Sequence, residues 1–366
     1  MKITNRLAVA TVMLLSVALA TGVLTWQAAV KANEDALADK KQLLISELES
    51  RRIRVTNYLE QVINDLRITA SSRFAQHALI DFDEAFEQLG DDATNILQRQ
   101  YITDNPNPLG RKDLLVMADD GSPYSQLHQE YHGWTSNIAK VRDYYDIFLV
   151  DTDGNIVYTV FKEDDFATNL LTGKYKDSEL GQVFADVIAD PRSNEIHARD
   201  FVRYAPSHGK PAAFLGTAVN YEGGFVGAII VQLKPEPFNR IMRPTRSLGD
   251  SGETYIVGHN KLMRTRSRFS EEDTILKTKV DTDSVNAALE GRNGIGIIED
   301  YRGVPVLSAY APIQGQKTTW AVLAEMDMDE INAESAGLIQ WLAIISAIAS
   351  LLAFLLGWLL AGRDKA

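Results

Sequence analysis

The sequence predicts an α+β protein in which two tandem sheet-and-helix modules ride on a long N-terminal helix, flanked by two transmembrane helices. Three observations predict this. Apolar runs of membrane length bracket the chain, a leucine-rich stripe at helical spacing follows the first run, and a strand–turn–strand pattern then occurs twice.

The first run, Leu7 to Val30, contains no charged residue and exceeds the ~20 residues needed to cross a bilayer. The second, Trp341 to Gly362, has only Ser346 and Ser350 as polar groups, and a helix satisfies such hydroxyls on its own preceding carbonyls. Lys2 and Arg6 flank the first run, and Arg363 and Lys365, with Asp364, follow the second. The other flank of the second run, EMDMDEINAE, is acidic. Positive residues stay inside, so both termini are expected in the cytoplasm and residues 31–336 outside, as in a multi-pass bacterial inner-membrane protein. Trp26, Trp341 and Trp358 sit where interfacial aromatics belong. A signal peptide cleaved after ALA at 18–20 is the competing reading, but apolar character continues well past Ala20, which points to a retained helix. Small residues four apart (Ala18 and Gly22; Ala349, Ala353 and Gly357) would let such helices approach closely.

The chain has no cysteine, which excludes disulfides, zinc-thiolate sites and a cysteine nucleophile. Its net charge is −12, and the basic termini make the region between them more acidic still. Such a surface argues against nucleic acid as a partner through bulk charge.

From Lys31 to Leu89 there is no proline. Leu37, Leu44, Leu48, Val55, Leu59, Val62 and Leu66 recur at steps of seven, four and three, a helical stripe on the order of 60 Å long or more. It cannot bury that stripe alone, so it packs on the outer domains, pairs with a second copy, or serves as a stalk in its lower half. DNPNPLG (104–110) breaks the helix, and a second helical patch covers Ser125 to Arg142.

From Tyr144 the period changes. YYDIFLVDTDGNIVYTVF reads as strand, turn, strand, with DTDG as the turn. A mixed stretch fills 162–196, then HARDFVRYA, KPAAFLGTAV and FVGAIIVQL read as strands, followed by a short helix from Pro235 to Arg243. SGETYIVGHNKLMRTRSRF repeats the first form, and YRGVPVLSAYAPIQGQKTTWAVLAEMD mirrors SHGKPAAFLGTAVNYEGGFVGAIIVQL. The expected organisation is a cytoplasmic N-terminus at 1–6, a span at 7–30, a helical region at 31–143, modules at 144–243 and 244–330, a lead-in helix at 331–340, a span at 341–362 and a tail at 363–366.

This layout, with YYDIFLVDTDGNIVYTVFKEDDFATNLLTGKYKDSELG, LGDSGETYIVGHNKLMRTRSRF and DYRGVPVLSAYAPI, resembles the double Cache ectodomain of bacterial transmembrane sensors over nearly all of 31–336. The resemblance implies two PAS-like Cache modules, the first membrane-distal and the second membrane-proximal. It implies a small-molecule ligand held in the distal module between the sheet and the segment linking its second and third strands, here Phe161 to Asp200. It also implies a homodimer. The amino-acid-sensing subgroup carries Arg-x-Trp-Tyr in that segment; TGKYKDSELG stands there instead, so recognition of amino acids through that motif is not expected.

No catalytic constellation is evident, and neither enzyme activity nor a cofactor is expected. His128 and His132 in HQEYH lie one helical turn apart, but the pattern is not HExxH and reads as a solvated helix face rather than a metal site. GRNGIG (291–296) reads as a turn, and Asp164 and Asp165, like Glu271 and Glu272, as surface acids. The ligand contacts expected around the covering segment are Lys162, Asn169, Tyr175, Lys176, Asp177, Asp200 and Tyr204. Asp200 and Phe201 alternate on a strand and are expected on opposite faces.

The expected function is a sensory receptor that binds a small extracytoplasmic ligand and passes the signal across the membrane, foremost a chemotaxis receptor. A sensor kinase or nucleotide cyclase input, and a membrane-anchored scaffold, are the alternatives. GRDKA holds no output, so the chain is expected to be a fragment of a longer receptor; otherwise it signals through a partner.

Overall fold

The computed structural model describes residues 3–243, 246–315 and 318–363; the flanking residues Lys2, Asp364 and Lys365 lie outside these. Helix α1 (Ile3–Ala70) is one uninterrupted element of 68 residues, about 100 Å long at 1.5 Å per residue. Nothing in it breaks a helix, and the apolar stripe is buried at Leu44, Leu48, Val55, Val62 and Leu66, with Leu37 and Leu59 partly so. The proline-free stretch is nevertheless broken at Ser71 and Ser72. The Ser72 hydroxyl accepts the Ala75 amide at 3.2 Å and starts α2 (Arg73–Glu87) in a new direction. After the short α3 (Ala93–Gln98), α4 (Pro123–Arg142) begins on a Ser122 cap with proline in its first turn.

The first sheet contains β1 (Asp146–Val150), β2 (Ile156–Thr159), β3 (His197–Tyr204), β4 (Lys210–Tyr221) and β5 (Gly224–Leu233) in the antiparallel order β2-β1-β5-β4-β3. The second contains β6 (Glu253–Val257), β7 (Gly294–Glu299), β8 (Pro305–Gly315) and β9 (Thr318–Asp327) in the order β6-β9-β8-β7. The repeat seen in the sequence is therefore real: β6, β9, β8 and β7 take the places of β1, β5, β4 and β3. The counterpart of β2, expected as a full strand, shrinks to a single bridge between Val257 and Met263. GRNGIG is a turn only through Gly291, whose φ is +87°; Gly294 and Gly296 belong to β7.

Each sheet has two buried faces, as the period of two requires. Ile147, Leu149, Ile229 and Val231 of the first, and Ile256, Leu307, Val322 and Ala324 of the second, join one core that runs along α1. The opposite faces carry separate cores. Phe148, Val150, Phe214 and Ile230 pack beneath α5 (Glu179–Ala189), and Tyr255, Val257 and Leu323 beneath α7 (Asp283–Leu289). Helix α6 (Glu236–Met242) joins the modules, and α8 (Met328–Arg363) continues directly from β9.

The apolar ends of α1 and α8 lie side by side, and both are long and apolar enough to cross a membrane. Leu15, Leu19, Leu24, Ile345, Leu352 and Leu359 are exposed there. Gly357 permits a close approach, since a Cβ on it would lie 2.9 Å from the Ala10 Cα; a Cβ on Gly22 would meet nothing within 4 Å. The Ser350 hydroxyl bonds the Ser346 carbonyl at 2.8 Å, as expected, whereas Ser346 reaches across to the Thr21 hydroxyl at 2.6 Å.

Candidate functional site

The α5-covered face of the first sheet holds a buried patch of carboxylates at one end. It starts with Asp146, the first residue of β1, directly opposite Gln232 on β5. The Asp146 Oδ1 accepts the amides of Ile147 and Val160, both at 2.7 Å, so the carboxylate fixes where β2 turns into the covering segment. That segment then makes left-handed bends at Lys162 (φ +52°) and Ala167 (φ +62°). Between the bends, Glu163 and Asp165 reach Ser207 and Tyr204 at the far side of the sheet.

Glu163 accepts the phenol of Tyr145 and the hydroxyl of Ser207, both at 2.5 Å, and Ser207 in turn accepts the Gln232 side-chain amide at 3.0 Å. Asp165 Oδ2 accepts the Tyr204 phenol at 2.7 Å. Two buried acceptors on this patch, Asp165 Oδ1 and Gln232 Oε1, have no partner. Burial raises the pKa values of all three carboxyls. Asp165 is pushed up to about 7, with Glu163 adding to the rise, and burial together with Asp165 and Glu163 carries Asp146 well above its ordinary value. Chemically the patch has more acceptors than donors: the two open oxygens call for a proton, or for a ligand cation bearing N–H groups.

The residues expected from sequence are dispersed around this patch. Tyr204 lies in it. Lys162 is buried beside it but turns toward α4, where its Nζ sits 4.9 Å from the Tyr158 ring centroid and 3.1 Å from the Val160 carbonyl. Asn169 braces the β1–β2 turn through the Asp153 carbonyl and Asn155. Tyr175 packs in the apolar core under α5, and Lys176 pairs with Asp177 on the surface at 2.9 Å.

Asp200 departs most from expectation. A register shift in β3 between Arg199 and Val202 disrupts the strict alternation, and Asp200 and Phe201 both meet Trp320 of the second module. Arg264 holds Asp200 with two bonds, Nε to Oδ1 at 3.0 Å and Nη2 to Oδ2 at 2.6 Å.

Two further readings are corrected by burial. His128 and His132 are core residues, not a solvated face. Their rings stack at 4.6 Å, His132 Nε2 lies 2.7 Å from the Asp113 carbonyl, and His128 Nδ1 lies 2.6 Å from the Val116 carbonyl. Asp165 is buried while its neighbour Asp164 is exposed. Asp146, Glu163, Asp165, Ser207 and Gln232 escaped the sequence reading. The available signal was a charged or amide residue inside an apolar strand, as in YYDIFLV and FVGAIIVQL.

Comparison with known proteins places this geometry in context. The family model dCache_1, described as a Cache domain, matches residues 36–335. The curated protein named "Probable chemoreceptor y4sI" of Sinorhizobium fredii is 24% identical over 234 residues, which are 62% of this chain and 28% of that protein. The chain thus spans little more than a quarter of that relative's length. Among solved structures, the ligand-binding domain of Pseudomonas fluorescens chemoreceptor CtaA in complex with L-serine is 12% identical with a TM-score of 0.41, covering 81% of this chain and 99% of that one. The sensor domain of the V. cholerae histidine kinase DctB is 12% identical with a TM-score of 0.45, covering 79% and 97%.

Proposed function

Because the chain belongs to the Cache domain family, we propose that it is the sensory part of a bacterial inner-membrane receptor whose first module binds a small molecule bearing a protonated amine. The observation that carries the ligand class is the two buried acceptors, Asp165 Oδ1 and Gln232 Oε1, on a patch with three carboxylates, none of which forms an ion pair among the described residues, although Lys162 lies close enough to act on Asp146. An ammonium entering between the sheet and the covering segment would satisfy both acceptors and return the carboxyls to their ionised form. Asp165, Glu163, Gln232 and Tyr204 are the direct contacts in this reading. Lys162, Asn169, Tyr175, Lys176 and Asp177 belong to the segment that opens to admit the ligand, and Asp200 transmits its state to the second module.

In the same reading α1 and α8 cross the membrane, both termini face the cytoplasm, and residues 31–336 face outward. The first module (144–243) is then membrane-distal and the second (244–330) membrane-proximal. Two copies pair along α1, and ligand binding shifts α8 by ~1–2 Å through β9, from which it continues without a break. Glu330, in the first turn of α8, accepts the amides of Asp250 and Ser251 and ties the helix to the second module. The output is a chemotaxis signalling region, downstream or on a partner protein; a kinase or cyclase would use the same input.

The test is binding of common amino acids and simple mono- and diamines to the purified chain, followed by thermal shift and calorimetry. At least one amine should bind, and D165N and Y204F should each weaken it by about tenfold or more. No binding by any amine, or binding that survives D165N unchanged, overturns the reading.

A further inference from the structure

Away from the carboxylate patch, a cleft of about 350 Å³ opens at the joint between the modules. Arg240 and Arg243 line it from α6 and its end, and Arg266 and Arg268 from the second module. Such a concentration of arginine is unexpected in a chain with 49 acidic against 37 basic residues. The carboxylates on the lining are Glu236 and Glu253, and Glu253 is turned inward, accepting the Tyr301 phenol at 2.7 Å and the Arg268 amide at 2.7 Å.

The guanidinium groups are only partly committed. Arg243 has no side-chain partner among the described residues; its carbonyl accepts Arg51 at 3.3 Å. Arg266 lies 3.6 Å from Asp273 with its side chain largely exposed. Arg240 bonds Asp143 at 2.5 Å, but Lys234 bonds the same carboxylate at 2.6 Å, so Asp143 stays paired if Arg240 turns away. Arg268 donates to the Gly252 carbonyl at 2.6 Å and holds the wall of the cleft.

We infer that this cleft is a second ligand site, for a small soluble polyanion carrying carboxylate or phosphate groups. Guanidinium forks match those groups in pairs, and forks from two sides of the joint suit a ligand with more than one anionic group. An anionic lipid headgroup has the same chemistry, but its source is too far away. Arg51, which touches the Arg243 carbonyl, is 21 residues beyond Val30 on α1, about 30 Å above the apolar run at 1.5 Å per residue. Because the arginines come from both modules, a bound anion fixes the angle between them and biases the signal that the first module sends.

Citrate and inorganic pyrophosphate are the probes, titrated by calorimetry against the full chain in neutral detergent at low salt. At least one should bind with an affinity that falls as salt rises. R243Q and R266Q should each weaken it about tenfold, R243K should lose less, and D165N should leave it unchanged. Arg243 and Arg266 are exposed, so their variants should melt as the parent does. Absence of binding by both probes up to about 10 mM overturns the inference. So does affinity unchanged in both R243Q and R266Q, or binding only to vesicles containing phosphatidylglycerol.

Discussion

Glu253 on β6 lies directly opposite Glu325 on β9, and both side chains are buried. The pair occupies the place that Asp146 and Gln232 hold in the first sheet. The Tyr255 phenol donates to Glu325 Oε2 at 2.8 Å, while Oε1 has no partner. Two adjacent buried carboxylates do not both ionise at little cost, and burial pushes the Glu325 carboxyl up to about 7.

That shift has a definite sign. The folded form keeps its proton up to about pH 7, whereas the unfolded chain releases it near the ordinary glutamate value of 4.5. Folding therefore takes up a proton between those values, and stability falls as pH rises across that window, by at most about 1.4 kcal/mol per unit. Glutamine mimics the protonated acid. The E325Q variant should match the parent near pH 4.5 and exceed it at pH 8 in denaturation midpoint. An identical pH dependence in the two proteins would show that Glu325 ionises normally.

Lys162 gives the opposite slope. Its side chain is fully buried, and burial lowers its pKa from the ordinary lysine value, while Asp146 acts against that shift. The folded state thus favours the neutral amine where the unfolded chain is still protonated, so stability should rise as pH is raised toward the usual lysine range. K162M removes the titrating group. It should flatten that rise and leave the protein more stable than the parent at neutral pH, as read by chemical denaturation. A variant less stable at neutral pH would mean that the ammonium is bound as a cation.

The stripe from Leu44 to Leu66 and the duplicated strands were legible because each is periodic in the residues themselves. The carboxylate patch was not. Its members come from β1, the covering segment, β3, the β3–β4 turn and β5; sheet pairing gathers those on the strands, and the covering segment carries left-handed backbone at Lys162 and Ala167 that no residue type there announces. Asp200 was misplaced for a related reason. Alternation predicts opposite faces for Asp200 and Phe201, and a β-bulge in β3 cancels it. His128 and His132 look polar in sequence, yet carbonyls and a phenol bond His128 Nδ1 and both nitrogens of His132 inside the core, and His128 Nε2 is buried without a partner.

The Asp200–Arg264 pair should hold the modules together. Arg264 is nearly inaccessible, and without Asp200 its guanidinium keeps, among the described residues, the Leu262 carbonyl at 2.7 Å and Asn260 at 2.9 Å. Removing one partner of a buried pair costs about 3 kcal/mol or more, whereas removing both relieves the stranded charge. D200A should lower the unfolding free energy by about that amount, and D200A/R264M should recover part of it. Additive losses in the double variant would show that the two side chains do not depend on each other.

The packing of α1 against α8 can be read out by cross-linking, because the sequence contains no cysteine and any disulfide must come from introduced residues. The Thr21 and Ser346 hydroxyl oxygens lie 2.6 Å apart, so sulfur atoms in their places need only a small adjustment to reach the ~2.05 Å of a disulfide. T21C/S346C should therefore form an intramolecular bond on mild oxidation in membranes, without a dimer band on a non-reducing gel. Adding G357L should reduce its yield, since even the first side-chain carbon would lie 2.9 Å from the Ala10 backbone and force the helices apart. A product consisting only of cross-linked dimers would mean that α8 packs on α1 of a second copy, and the helix pair would then be an interface between subunits.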